Sequence, residues 1–158
     1  MRIILTWDYQ KEVTGPIDVI YASPPCNLYF SPMRSGNRPW KEWEKQLSLQ
    51  LVNKTIEIIK YYKPKHFIIE NPRGKMIKHY PDLLGYKPQL VYYCMLGFDY
   101  QKPTHIWTDL QLKTNKCVHK KHDLNIRRFK RGQINDEQYR AMIPPLLALQ
   151  VRDLILNE

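Results

Sequence analysis

The sequence is short of several things. Its three cysteines are an odd number with no paired spacing, which argues against a secreted disulfide scaffold. No apolar run approaches the roughly 18 residues that a membrane helix requires, and no signal-peptide pattern follows Met1. Internal repeats and low-complexity stretches are absent too. Acidic residues are scarce, 15 Asp and Glu against 25 Lys and Arg, which leaves a formal net charge of +10. What is present is globular composition, 43% hydrophobic and 25% charged, in 158 residues, the length of one ordinary domain. An intracellular, cytoplasmic protein with no membrane association is expected.

The charge is concentrated. Lys113, Lys116, Lys120, Lys121, Arg127, Arg128, Lys130 and Arg131 face only Asp123, so this stretch holds +7 and the rest of the chain +3. A charge run can be a solvated face or a loop. It can also be a phosphate-contacting segment, and a basic imbalance points first to nucleic acid and second to an anionic membrane surface.

Along the chain, Arg2–Thr6 and the β-branched run Ile17–Ala22 read as strands. The second stops at Ser23-Pro24-Pro25-Cys26, where proline ends the ladder, and Asn27–Pro39 reads as a loop. From Trp40 to about Tyr62 the spacing predicts a helix, with Trp40, Trp43, Leu47, Leu51 and Ile58 as its apolar stripe. Phe67–Ile69 is a third strand, followed at once by Glu70-Asn71-Pro72. Leu90–Leu96 and Thr104–Trp107 are further strands separated by a turn around Gly97–Pro103. Asp136 is placed to cap a short helix, and Pro145–Leu156 reads as a closing amphipathic helix. Strands separated by helical crossovers predict an α/β sheet with helices on its faces, whose ligand lies beyond the carboxyl ends of the strands.

Two residues at that edge could do chemistry. Cys26 is either a small buried hydrophobe or a nucleophile, whose thiolate forms once the thiol pKa falls below about 8.5. Glu70 is either a strand-end acid that reaches water or a carboxyl group that grips the Watson–Crick edge of a heteroaromatic base. Asn71 could then orient that base and Pro72 fix the turn.

The segments Asp18–Cys26 with Ser31, Phe67–Gly74, Lys102–Thr108 and Arg140–Leu147, in this order, resemble the DNA cytosine-5 methyltransferases. The likeness is to the compact forms found in phages, archaeal viruses and prokaryotic genomes. The resemblance implies a single methyltransferase-like catalytic domain over 1–158, with a basic loop at about 109–135. Its fold would be a Rossmann-like S-adenosylmethionine-dependent methyltransferase sheet lacking its first strands. It further implies that Cys26 adds to carbon 6 of a cytosine flipped out of DNA. Glu70 and Asn71 would hold the base, with Pro25 shaping the nucleophile loop. Ser23, Pro24 and Asp8 would lie against the cofactor S-adenosylmethionine. Arg73, Lys102 and the eight basic residues of the loop would meet DNA. A homodimer or a complementing subunit would supply the missing strands. A virus-encoded form acting in a host cell agrees with the intracellular expectation.

The departures are specific. None of the six glycines forms a Gly-x-Gly pair, so the family's cofactor loop has no counterpart, and Met95 and Tyr100 stand where the family commonly has Gln and Arg. Cys117-x-His119-x-x-His122, with Cys94 as a further ligand, matches the spacing of no common structural zinc site, and no metal is expected. Two other readings stay open: an amino-methyltransferase acting on an exocyclic nitrogen of adenine or cytosine, and a DNA-binding protein that keeps the fold without catalysis.

Overall fold

The computed structural model describes residues 4–26, 40–98, 100–119 and 141–157. Strand β1 is Val19–Ala22, β2 His66–Pro72, β3 Gln89–Tyr92 and β4 Pro103–Thr108. They form a four-stranded sheet in the order β1-β2-β4-β3. Helices are α1 (Tyr9–Glu12), α2 (Glu42–Tyr62), α3 (Met76–His79) and α4 (Pro145–Leu156). The chain is a mixed α/β fold that divides into two compact units: Met1–Gln89 with His105–Leu110, and Leu90–Thr104 with Gln111–Glu158.

The first unit is built on the crossover β1–α2–β2, whose strands pair in parallel. Helix α2 starts where Glu44 Oε2 accepts from the Lys41 backbone N–H at 2.8 Å. It ends where Lys63 turns left-handed (φ 47°) just before Pro64, with its N–H on the Ile59 carbonyl. Its buried face carries Ser48, Val52, Thr55, Ile58 and Ile59, whereas Trp43, expected to face inward, is 53% exposed. Two stripes compete along this helix, and the slimmer one wins. Ser48 and Thr55 satisfy their hydroxyls on carbonyls one turn back, at 2.8 and 3.0 Å, so both can sit against the sheet without an unpaired polar atom. Val52 and Ile59 then pack with Phe67, Ile69, Met76, Leu83 and Trp107 to make the core.

The expected first strand is corrected. Ile4–Thr6 is a 3-10 turn, closed by the Trp7 N–H on the Ile4 carbonyl, and residues 1–3 lie outside the described ones. This apolar run is drawn onto α2 instead of into a ladder. Tyr62 donates to the carbonyls of Tyr9 (2.6 Å) and Val13 (3.0 Å), and Tyr9 donates to Glu57 at 2.7 Å. A strand over Leu90–Leu96 is corrected as well: β3 stops at Tyr92, and Tyr93–Leu96 is a 3-10 turn capped by left-handed Gly97 (φ 95°). Here Tyr93, fully buried, packs edge-on to Phe98, and the Tyr93 N–H bonds to the Gln101 carbonyl. The loop expected over Asn27–Pro39 and the helix expected at Asp136 lie outside the described residues. The closing helix is found where it is expected, with Pro145 at its start.

Asp109, one residue beyond β4, closes the other end of the core. Its carboxylate accepts from the Phe67 N–H at 2.9 Å and lies 2.7 Å from His66 Nδ1. The end of β4 thus meets the start of β2, the geometry of an antiparallel pair. Replacing Asp109 strands a buried N–H. Asp109→Ala is expected to lower the unfolding free energy by about 1–3 kcal/mol. Urea denaturation checks this, and an unchanged midpoint would contradict it.

Candidate active site

Parallel pairing runs from Val19 opposite His66 to Ala22 opposite Ile69. One step further brings Ser23 level with Glu70, and Pro24 level with Asn71. Pro24 has a carbonyl to offer but no N–H, so pairing beyond Ala22 falls to a side chain. Asn71 Nδ2 donates to the Pro24 carbonyl at 2.8 Å, and both residues are buried. Asn71 Oδ1 is also buried and has no hydrogen-bond partner among the described residues, which leaves an acceptor held at the strand end. Glu70-Asn71-Pro72 are the last residues of β2 itself, not a loop after it.

Cys26 comes two residues past this bond, half-buried and packed on the core, while Pro25 is exposed. Alternation along β2 gives Phe67, Ile69 and Asn71 to the face that α2 covers. Glu70 goes to the other face, where it is 6% exposed. Tyr21, which alternates with the core-facing Ile20 and Ala22, shares the Glu70 side. Although Tyr21 is 41% exposed as a residue, desolvation of its phenol raises it above its ordinary value and the Glu70 charge raises it further, against a hydrogen bond with Ser23 that lowers it. Tyr21, Ser23 and Glu70 are therefore electrostatic neighbours. The expected elements do gather at the carboxyl ends of two parallel strands.

The sequence profile of the C-5 cytosine-specific DNA methylase family matches residues 6–86. The match takes in both strand ends. The chain belongs to this family. It is also 36% identical to a protein named "Probable DNA (cytosine-5)-methyltransferase" from Frog virus 3 (isolate Goorha), over 68% of this chain and 54% of the relative. The chain thus spans about half the length of that relative. No solved structure matches it.

Other residues expected to serve the methylase are placed as follows. Asp8 is exposed and pairs with Lys11 at 2.9 Å. Arg73 is exposed just past β2. In the second unit Lys102 is half-buried with Nζ 4.4 Å from the centroid of the Tyr93 ring, and Lys113 and Lys116 are exposed. Lys120, Lys121, Arg127, Arg128, Lys130 and Arg131 lie outside the described residues, as does His122. Tyr100, standing where the family commonly has Arg, is 3% exposed and stacks on Phe98 at 5.5 Å, a packing role. Among the described residues no helix is long and apolar enough to cross a membrane.

Two residues of the first unit were not singled out from the sequence. One is Tyr21. The other is His105 on β4, 7% exposed and edge-on to Trp107, which burial pushes below the ordinary histidine value of 6.5 and the Arg73 charge pushes lower still. A histidine in alternation with the core residue Trp107 on a strand is the signal that could have found it. The folded state then resists a proton that the unfolded chain accepts. Its stability contribution is complete above about pH 6.5 and is lost as pH falls toward the folded pKa. His105→Gln is expected to flatten that acid-side slope, and Arg73→Gln to move the His105 titration upward in an NMR experiment. An Arg73→Gln titration identical to that of the unaltered chain would contradict the placement.

Proposed function

We propose that the chain carries the catalytic face of a DNA cytosine-5 methyltransferase, with Cys26 as nucleophile and Glu70 as the base-gripping carboxyl group. The observation that carries this reading is the Asn71–Pro24 hydrogen bond, which fixes the two strand ends at one level. The Cys26 sulfur adds to carbon 6 of a flipped cytosine, while Glu70 holds the ring nitrogen and the exocyclic amine, so that negative charge gathering on the ring is neutralised there. Asn71, fully buried with its amide on the Pro24 carbonyl, holds the turn and not the base, and Pro25 stiffens the turn that presents the thiol. Once carbon 5 carried the methyl group, loss of its proton to solvent would expel the Cys26 thiolate and restore the ring.

The residues present fit part of S-adenosylmethionine. Beside β1 lies a hollow of about 350 Å³ lined by Trp7, Val19, Tyr21, Ile58 and Tyr62 among others, a surface suited to a planar heterocycle such as adenine. Ser23 and Pro24 adjoin it in sequence, and Asp8 would serve the adenine end on leaving Lys11. The chain's glycines supply no Gly-x-Gly turn for the methionine end. When bound, the cofactor supplies the methyl group that carbon 5 receives. The fold proposed is the Rossmann-like methyltransferase sheet, in one catalytic domain. A second copy or a complementing subunit would pair along the β1 edge, where Val19 and Tyr21 are exposed. DNA is the substrate, met by Arg73, Lys102, Lys113, Lys116 and the basic loop, whose contacts position the duplex without reading sequence. Such a substrate puts the reaction inside a cell.

A cytosine with fluorine at carbon 5 has no proton to lose there, so the enzyme stays attached. A fluorocytosine oligonucleotide with cofactor is expected to become covalently trapped at Cys26, and Cys26→Ser to abolish the adduct. Folded chain that binds cofactor and DNA yet gives no adduct would refute the assignment.

A further inference from the structure

The second unit holds a cluster that the cytosine chemistry does not use. Cys94, in the turn after β3, meets Cys117 and His119, from the segment that leads into the basic loop. One donor atom from each lies within 4.8 Å of the others. The two thiols are half-buried and unbridged, and His119 is exposed, so an ion has a way in.

We propose that Cys94, Cys117 and His119 form a binding site for a zinc-class divalent cation. A tetrahedral ion with Zn–S near 2.3 Å and Zn–N near 2.0–2.1 Å sets sulfur and nitrogen about 3.6 Å apart, and two sulfurs about 3.8 Å. The Cys117 Sγ to His119 Nδ1 distance is 3.6 Å. That pair already has the required spacing, and a shift of about 1 Å brings in the third donor. Two thiolates and a neutral imidazole suit a borderline-soft ion, and their two negative charges cancel its own. The neighbouring Lys113 and Lys116 then face a neutral site, not a second cation. A water or another side chain fills the fourth position. The sequence offers these three residues but in no common zinc spacing, because Cys94 lies 23 residues before Cys117 and it is the fold that brings them together. The ion would pin the root of the basic segment to the turn after β3 and so order the lysines that begin it.

The test uses the full chain, purified with reductant, stripped by a chelator and dialysed against zinc. About one equivalent is expected to remain bound and to be released by a mercurial that blocks thiols. Cobalt in its place is expected to give the visible bands of a tetrahedral ion together with thiolate charge-transfer absorption. Cys94→Ser and Cys117→Ser are each expected to lose both signals while keeping the circular dichroism of the unaltered chain. Failure to retain zinc, a cobalt spectrum without thiolate bands, or equal retention by both serine variants would overturn the site. The cobalt measurement on the unaltered chain decides the matter even where a variant does not fold. None of these readouts depends on methyl transfer, so the site and the cytosine reading stand or fall separately.

Discussion

The parallel pairing of β1 with β2 is the constraint on which the rest depends. A parallel pair joined by a long helical crossover brings both strands to the same edge of the sheet, with their carboxyl ends level. Proline at positions 24 and 25 then forbids the ladder to continue, and the Asn71 amide takes over the bond that a backbone N–H would have made. Because that amide is fully buried, breaking the contact would leave a polar group unsatisfied in the core. This closure sets Ser23 level with Glu70, and Cys26 follows two residues beyond it. The core beneath it serves the same end: Val52 and Ile59 on α2 press Phe67 and Ile69 into place, and Asp109 anchors the opposite end of β2.

Much of this was legible in the sequence, for physical reasons. Phe67–Ile69 is a continuous β-branched and aromatic run, as a buried strand requires, whereas Val19–Ala22 proves to be an edge strand with Val19 and Tyr21 exposed, and the prolines that follow mark where each stops. The long helix was legible in its extent and in Ile58 of its inward face, but not in the rest of that face. Trp43 advertises itself as core, yet the sheet packs against a flatter surface made of Ser48, Val52, Thr55 and Ile59. Hydrophobicity alone cannot rank two such stripes, because the choice depends on what lies opposite. Ile4–Thr6 failed as a strand for a related reason: an apolar run can be buried by a helix as well as by a ladder, and the tyrosine bonds to Tyr9 and Val13 decide for the helix. Tyr93–Leu96 failed because Gly97 turns the chain before a ladder can extend.

The same limit left the thiol cluster, visible as residues, without support in its spacing. Cys117 and His119 sit two apart among lysines and look like loop residues, and Cys94 looks like part of a strand. Only after β3 breaks at Tyr92 into a 3-10 turn does Cys94 come within reach of the other two. The +10 charge takes on a similar precision. Lys113 and Lys116 are exposed in the segment that the cluster roots, whereas Lys102 lies against the Tyr93 ring and is held there. Among the described residues, then, Lys113 and Lys116 stand open to phosphate, and Lys102 would reach it from a position steadied by an aromatic face.

The central claim is that the two strand ends act at carbon 5 of cytosine. The most direct measurement is mass spectrometry of nucleosides from DNA incubated with the protein and isotopically labelled S-adenosylmethionine. Labelled 5-methylcytosine, absent when Cys26 is serine, is the predicted result. Label in N4-methylcytosine or N6-methyladenine, or 5-methylcytosine that persists without the Cys26 thiol, would contradict it.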